Sequence, residues 1–306
     1  MRQRSSTPST SGTDASSAEI RPLDLEEISD LPAELSWLQA YPHDQALPLP
    51  QAWGSFAAGR LRHVAVLVYQ GGRTGLLFTS RPKRRDAATG LARLADHACR
   101  HVPAGAATLV QALTPPDQTP MQTALADANF HRLAGLTYMQ RSLRGSRLPV
   151  TPQHEGVIES WRPELRGEFL QAIDQSYLQT MDCPDLRGLR ATEDILVGHM
   201  STGQFDPRLW LLLRIEQRPA GLLLLNPISQ IQCVELVYLG LAPAYRGRSL
   251  GRALTLAGLH RCARHGHRRV TLAVDEANEP AIQLYKQLGF YPTARKVAWI
   301  RNLQVT

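Results

Sequence analysis

The stretch from Cys233 to Phe290 reads CVELVYLGLAPAYRGRSLGRALTLAGLHRCARHGHRRVTLAVDEANEPAIQLYKQLGF. Its apolar start, Cys233 to Leu241, predicts a strand that ends just before a proline. A basic turn that contains glycine follows, and apolar residues then recur at helical spacing from Leu250. A β-branched run from Val270 to Val274 predicts a second strand, and Pro280 predicts the first turn of a second helix. This alternation of strands and helices predicts a mixed α/β fold.

The turn Arg246–Gly251 (RGRSLG) predicts a phosphate-binding site. Free backbone N–H groups at the start of a helix attract anions, together with the positive end of the helix dipole. Arg246, Arg248 and Arg252 add side-chain charge, and the guanidinium geometry suits phosphate. The turn lacks the Gly-Lys-Ser/Thr of a Walker loop and the three-glycine spacing of a dinucleotide fingerprint. We therefore expect a phosphate-bearing ligand of another kind.

Taken together, these motifs resemble the GNAT acetyltransferase superfamily, in particular its tandem-domain members of the mycothiol synthase type. The turn matches the family pattern Arg/Gln-x-x-Gly-x-Gly/Ala, which cradles the pyrophosphate of acetyl-CoA. Asn278, Ala281, Tyr285 and the sequence LGF at 288–290 match the next signature. Ser249 departs from the pattern, because the family prefers its first glycine there. A positive φ would strain this serine, whereas a negative φ would leave its hydroxyl free to donate to a phosphate.

The resemblance implies that acetyl-CoA is the co-substrate. The residues implied to hold it come from the end of the first strand, the basic turn and the second helix. They are Leu239, Gly240, Leu241, Arg246, Gly247, Arg248, Ser249, Leu250, Gly251, Arg252, Asn278, Ala281 and Tyr285. No metal is expected, because the histidines and cysteines have no spacing typical of ligands.

Two residues are candidates for proton transfer. Glu235 lies in an otherwise apolar strand, where burial would raise its pKa towards the working pH and suit it as a general base. The alternative is a polar residue on an open face of the strand. Tyr285 is implied by the resemblance to protonate the departing thiolate of CoA, and the alternative is an aromatic ring packed under Phe290.

The irregular segment from Leu178 to Ala191 borders the acceptor site in folds of this family. Tyr177, Asp182 and Asp185 are therefore candidate contacts of the acceptor substrate. They are equally well explained as polar residues of a loop.

The two halves of the chain share a pattern with a spacing of about 160 residues. Aligning Pro120 with Pro280 also aligns Phe130 with Phe290 and Arg141 with Arg301. We expect tandem GNAT-like domains, each a mostly antiparallel twisted sheet flanked by helices. The predicted boundaries are a disordered tail at 1–20, a degenerate domain at 21–145, a linker at 146–154 and a catalytic domain at 155–306.

The first copy is predicted to be catalytically degenerate, since Leu125 and Asn129 stand in place of Tyr285 and Gly289. Whether it still binds a nucleotide stays open, because Arg84, Arg85 and Gly90 are equally typical of a solvated basic loop.

Composition narrows the class of protein. The net charge of +7 favours anionic ligands but is spread along the chain, so a nucleic-acid surface is not expected. The four cysteines are widely spaced, as is typical of a reducing cytoplasm, and no stretch is apolar enough to span a membrane. The predicted function is N-acetylation of the primary amine of a small molecule. The alternatives are acetylation of a protein or ribosomal N-terminus, and non-catalytic binding of acetyl-CoA.

Overall fold

The computed structural model describes residues 19–24, 35, 47–82, 88–145 and 148–304, apart from the side chain of Gln230. The strands are β1 (Glu19–Pro22), β2 (Gln51–Ala57), β3 (Arg60–Gln70), β4 (Thr74–Thr79), β5 (Leu109–Thr114), β6 (His131–Ser142), β7 (Val157–Ser160), β8 (Trp210–Ile215), β9 (Arg218–Ile228), β10 (Cys233–Leu241), β11 (Arg269–Asp275) and β12 (Tyr291–Asn302). The α-helices are α1 (Ala88–Arg100), α2 (Thr119–Asp127), α3 (Arg166–Tyr177), α4 (Thr192–Ser201), α5 (Leu250–Arg264) and α6 (Glu279–Gln287).

All twelve strands form one sheet, in the order β1-β2-β3-β4-β5-β12-β6-β11-β10-β9-β8-β7. Two neighbouring pairs are parallel, β4 with β5 and β10 with β11, and the others are antiparallel. The last strand of each half is exchanged: β6 pairs with β11 of the second half, and β12 pairs with β5 of the first half. The sequence predicted two sheets. The exchange joins them into one, because β6 and β12 also pair with each other.

The exchanged strands carry core residues into the opposite half. Met139 of β6 is buried among the side chains of α5 and α6. Trp299 of β12 is buried against α1 and donates a hydrogen bond from its indole Nε1 to Thr114 Oγ1 at 3.1 Å. Each half therefore buries part of its core only when the other half is present.

The structure supports the internal repeat through matching lengths and caps. α2 and α6 both have 9 residues, and the following strands, β6 and β12, both have 12. Asn129 and Gly289 end these helices with positive φ, +61° and +80°. Asparagine is one of the residues that tolerates this conformation, so it can replace glycine at this cap.

Helices cover the two faces of the second half differently. α5 packs on one face, where Leu254 and Leu259 meet Leu223 and Leu272. On the opposite face, α3 and α4 pack on Trp210. The free ends of β10 and β11 lie between these layers, and this is where the candidate site is found.

The elements predicted within 233–290 are confirmed to within one or two residues. Most of the predicted tail, residues 1–18, lies outside the described residues, whereas Glu19 and Ile20 belong to β1. Arg84 and Arg85 also lie outside them. The predicted boundaries at 145 and 155 stay a prediction. None of the described helices is long and apolar enough to cross a membrane.

Candidate functional site

The parallel strands β10 and β11 pair over only a short distance. Their register covers Val234 to Leu236, opposite Val270 to Leu272. Beyond this point β10 stays paired with β9 as far as Leu241, while β11 follows β6 as far as Asp275. The two strands diverge, so the edge of β10 that faces β11 is left unpaired by any described strand. This edge includes Leu239, Gly240 and Leu241, which the sequence predicted to lie along the cofactor.

Helix α3 packs very close to the end of β10. A Cβ atom at Gly240 would lie 2.6 Å from the side chain of Ser176, so this approach requires glycine. The hydroxyl groups of Ser176 and Tyr238 are 2.8 Å apart and hydrogen bonded. This contact holds α3 against the end of β10.

The basic turn after β10 presents a row of backbone donors. None of the described residues accepts a hydrogen bond from the backbone N–H groups of residues 247–252, which precede and begin α5. Gly247 and Ser249 have φ values of +74° and +58°. Successive N–H groups in such a turn form a concave site for an anion, and the helix dipole adds to its potential.

Ser249 adopts the positive φ that would strain a serine. Its φ and ψ are +58° and +9°, and its side chain makes no capping hydrogen bond with α5. A left-handed conformation costs a residue with a Cβ about 1–2 kcal/mol. The hydroxyl group is exposed, so it can still reach a ligand from this position.

Arg246 lies in the turn, but its guanidinium contacts the backbone of the protein. It donates to the carbonyl oxygen of Leu241 at 3.0 Å, and to those of Ser176, Leu178 and Gln179 at 2.8–2.9 Å. The sequence pattern assigned this side chain to a phosphate. In the structure it instead ties the segment after α3 to the end of β10.

The other two arginines do not hydrogen bond through their side chains to the backbone of any described residue. Arg248 forms an ion pair with Glu155 at 2.6 Å, in which both side chains are exposed. Arg252 lies in the first turn of α5 and has no ion pair among the described residues. An exposed ion pair contributes little to stability, so Arg248 can exchange its partner for a phosphate at low cost.

α6 begins and ends as the sequence predicts. Asn278 caps it by accepting a hydrogen bond from the N–H of Ala281 at 3.3 Å. Tyr285 is 5% exposed and its ring packs edge-on against Phe290 at 5.7 Å. Burial, and then the charge of Asp182, raise the pKa of the Tyr285 phenol, which keeps it protonated. None of the described residues hydrogen bonds to its hydroxyl, so packing and proton donation are both open to it.

Glu235 lies at the middle of the three paired positions, one residue before the last pair at which the strands diverge. Burial raises the pKa of its carboxyl group, as the sequence predicted for a general base. Glu235 pairs with Thr271 of β11. Ala273, two residues further along β11, pairs with Tyr138 of β6. Residues two apart on a strand share a face, so Glu235 and Tyr138 project from the same side of the sheet. Burial and the charge of Glu235 raise the pKa of Tyr138 to about 12.

The segment after α3 is held against the end of β11 by reciprocal hydrogen bonds. The N–H of Asp275 donates to Asp182 Oδ1 at 3.1 Å, and the N–H of Cys183 donates to Asp275 Oδ2 at 3.0 Å. The surrounding protein, and then the Asp275 carboxylate, raise the pKa of Asp182, although its side chain remains exposed within the cleft. Burial raises the pKa of the Cys183 thiol to about 12, so this cysteine is a poor nucleophile.

The other acceptor candidates are separated by the structure. The Tyr177 ring stacks on Tyr238 at 5.9 Å, and burial raises its pKa. Asp185 is exposed in the short 3-10 turn Pro184–Leu186. Asp182 therefore lies in the cleft, Tyr177 forms part of its wall, and Asp185 lies on the surface. In the part of the chain that the structure describes, no group of three or more His, Cys, Asp or Glu side chains is placed to hold a metal ion.

Sequence reasoning missed Tyr138 and Asp275. Tyr138 belongs to the first half and reaches the site only through the strand exchange, so no local pattern identifies it. Asp275 follows an apolar strand, which is a recognisable signal for a residue at the open end of a sheet.

Comparisons with known proteins agree with this geometry. Residues 171–290 match the acetyltransferase (GNAT) family. The chain is 30% identical over 200 residues to a mycothiol acetyltransferase of Thermobifida fusca, covering 57% of this chain and 59% of the relative. It is 47% identical over 187 residues to a mycothiol acetyltransferase of Nocardioides sp., covering 56% and 62%. The chain thus spans about three fifths of the length of these curated relatives.

Solved structures match the fold over most of the chain. A GCN5-related N-acetyltransferase from Sphaerobacter thermophilus has a TM-score of 0.56 at 19% identity, covering 82% of this chain and 80% of that one. A GCN5-related glucosamine N-acetyltransferase region of a fungal multidomain GH3 β-N-acetylglucosaminidase has a TM-score of 0.61 at 12% identity, covering 92% and 38%. The family match, the relatives and the fold agree with one another. The similarity to the acetyltransferase (GNAT) family is thus carried by residues 171–290 of this chain.

Proposed function

We propose that this chain is an N-acetyltransferase that moves an acetyl group from acetyl-CoA to the primary amine of a small molecule. The observation that carries the proposal is the row of unpartnered N–H groups at residues 247–252, beside a strand edge that the divergence of β10 and β11 leaves free. A pyrophosphate fits the first feature, and an extended chain with amide groups fits the second. The named activity of the relatives points the same way.

The residues present fit acetyl-CoA. The N–H groups of residues 247–252, with Arg248 and Arg252, would hold its pyrophosphate, and the edge of β10 from Leu239 to Leu241 would hold its pantetheine arm. When bound, it supplies an activated acetyl group. Arg246 serves this site indirectly, because it fixes the segment after α3 that forms one wall.

Glu235 is the proposed general base. A neutral amine is needed for attack, and a carboxylate with a raised pKa accepts a proton more readily than an ordinary one. Glu235 lies where the strands part, beside the free edge of β10, so it can act directly or through a water molecule. Tyr138 projects from the same side of the sheet as Glu235, and its hydroxyl is proposed to help position the proton that is transferred.

Tyr285 is the proposed donor to the leaving sulfur. Its phenol is protonated at neutral pH, and its hydroxyl makes no hydrogen bond with the described residues. Because a phenol with a raised pKa is a weaker acid than a thiol, we expect it to stabilise the departing thiolate mainly through a hydrogen bond.

A small-molecule acceptor is favoured by the relatives, which are named for mycothiol. A non-catalytic binding protein would have no need of Glu235 and Tyr285 beside the cofactor edge. Two measurements test the proposal: calorimetry with acetyl-CoA, and release of CoA in the presence of a mixed panel of amines. We expect one tight site per chain and amine-dependent release. Binding without release by any amine would favour the non-catalytic alternative.

A further inference from the structure

A second opening lies at the equivalent place in the first half. The strands β4 and β5 are parallel and pair only from Thr74 to Leu77, opposite Leu109 to Ala112. Both continue beyond this register, to Thr79 and Thr114, so they diverge as β10 and β11 do. A cavity of about 520 Å³ occupies this divergence and extends over the adjoining face of β12 and β6.

The walls of this cavity are mainly apolar. They include Leu76, Phe78, Leu113, Leu136, Ala298 and Ile300. Leu113 lies on β5, inside the sheet and away from its edges, yet it is 44% exposed. An exposed leucine at such a position indicates an apolar surface that a ligand can cover.

The charged groups of the lining have one sign. Lys296 contributes a positive charge, and no aspartate or glutamate is among the described lining residues. A cationic group is therefore disfavoured inside the cavity. An amine is favoured at the other end of the cleft, where Glu235 and Asp182 lie.

The cavity adjoins the candidate site of the second half. Tyr138 lines it and is the same tyrosine whose pKa is raised by Glu235. Cys183 and Leu186 also line it, and Cys183 is fixed to the end of β11 by its hydrogen bond to Asp275. The strand exchange thus places the apolar cavity of the first half beside the proposed base of the second.

We propose that this cavity binds the apolar portion of the acceptor, so that the substrate is a primary amine with an aliphatic or aromatic tail that carries no positive charge. The proposal rests on the acetyltransferase activity proposed above. It gives the first half a role, as the site of acceptor specificity. The amine lies towards Glu235 and Asp182, and the tail lies between β4, β5 and β12.

The test compares amines that share a head group and differ in the tail. Propylamine, hexylamine and 1,6-diaminohexane are offered to the full chain with acetyl-CoA, and kcat/KM is measured from CoA release. Each buried methylene is expected to raise kcat/KM about fourfold, so hexylamine should exceed propylamine by roughly 50-fold. The diamine has the same length but ends in a cation, and it should lose most of this gain.

A variant then locates the effect. Leu113→Asn should lower the ratio of hexylamine to propylamine severalfold and leave kcat/KM for propylamine unchanged, which also reports that the protein is folded. The matched control is Val157→Asn, at an exposed apolar residue of the edge strand β7. It should leave the ratio at the wild-type value.

The outcomes distinguish the proposed tail site from the proposed acetyltransferase activity. Equal kcat/KM for propylamine and hexylamine would overturn the tail site, as would an undiminished diamine or an unchanged ratio in Leu113→Asn. Absence of CoA release with every amine would overturn the acetyltransferase activity itself. In that case, calorimetric binding of hexylamine that is lost in Leu113→Asn would still support an apolar ligand site in the cavity.

Discussion

At the scale of single residues, the site depends on groups whose surroundings change their proton affinity. Glu235 lies in a buried strand, and the raised pKa of its carboxyl group follows from the loss of solvation. Tyr285 is buried more completely, and its phenol also has a raised pKa. Both pKa values are raised, but the two groups are proposed to act in opposite ways. A raised pKa makes the Glu235 carboxylate a better proton acceptor, and it keeps the Tyr285 phenol protonated as a hydrogen-bond donor.

We predict that Glu235→Gln abolishes most turnover while leaving folding and acetyl-CoA binding intact. In the wild type the rate should fall as the pH drops through the raised pKa, because Glu235 must be ionised to accept a proton. Glutamine cannot accept that proton, so the variant should lose the acidic limb of the pH–rate profile. Profiles of kcat/KM for both proteins check this. A variant that keeps the limb and most of the rate would place the base elsewhere, with Asp182 as the next candidate.

For Tyr285→Phe we predict a fall in kcat on the order of 10²–10³-fold, the usual cost of removing one positioned hydrogen-bond donor from developing negative charge. Stability should be almost unchanged, because no described residue hydrogen bonds to the hydroxyl and the ring keeps its contact with Phe290. Calorimetry should give near-normal affinity for acetyl-CoA. An unchanged rate under conditions where chemistry limits turnover would leave Tyr285 with a packing role only.

At the scale of elements, the turn between β10 and α5 connects the proposed cofactor site with the proposed acceptor site. Its backbone N–H groups have no acceptor among the described residues, while Arg246 reaches from the same turn to the segment after α3. The end of that segment is fixed to β11 through Asp182 and Asp275. The geometries of the proposed cofactor site and the proposed acceptor site therefore depend on each other.

We predict that Arg246→Ala loosens the segment from Ser176 to Cys183. It removes four hydrogen bonds from a charged donor, and a single bond of this kind is worth about 1.5–3 kcal/mol. Hydrogen–deuterium exchange in the absence of ligand should increase in this segment. Arg248→Ala is the matched control, since its ion pair with Glu155 is exposed, and it should leave exchange there unchanged. Unaltered exchange in Arg246→Ala would contradict this prediction and favour a role of the Arg246 side chain in binding the phosphate.

Ser249→Gly is predicted to stabilise the protein. Glycine removes the strain of the left-handed conformation, but its greater conformational freedom in the unfolded chain offsets part of this effect. The free energy of unfolding is therefore expected to rise by about 0.5–1 kcal/mol. Thermal unfolding should shift upwards by about 1–2 °C. Ser201→Gly, where the hydroxyl bonds to the carbonyl of Gly198, should shift it downwards. A lower affinity of Ser249→Gly for acetyl-CoA would show that the serine hydroxyl is a ligand contact.

At the scale of the whole molecule, the exchanged strands make the two halves depend on each other. β12 covers the edge of β5, and β6 covers the edge of β11. Without its partner, each half would expose an apolar strand edge and lose a buried side chain, Trp299 or Met139. The exchanged strands therefore make the folding of the two halves cooperative.

We predict that fragments 1–148 and 149–306 fold poorly when produced separately and form a soluble complex when produced together. The intact chain should unfold in a single calorimetric transition. A chain cut at an inserted protease site after residue 148 is the control, because the strands are already exchanged, and it should keep its structure. Two separate transitions, or two folded monomeric fragments, would contradict the prediction.

The sequence by itself determined the second half of this protein in considerable detail. Cys233–Leu241, the basic turn, α5, β11 and α6 are contiguous, so local periodicity and turn chemistry were enough to predict them. The repeat was also readable, because Phe130 and Phe290, and Arg141 and Arg301, recur at the same spacing.

Only the tertiary structure decided which residues meet. Strand pairing between distant segments is set by how whole faces pack, and no local pattern records that β6 would leave its own half. For this reason Tyr138 beside Glu235 and the cavity between β4, β5 and β12 were not predictable. Arg246 makes the same point at one residue: its charge was evident, but the carbonyl groups that it contacts come from a segment far away in the chain.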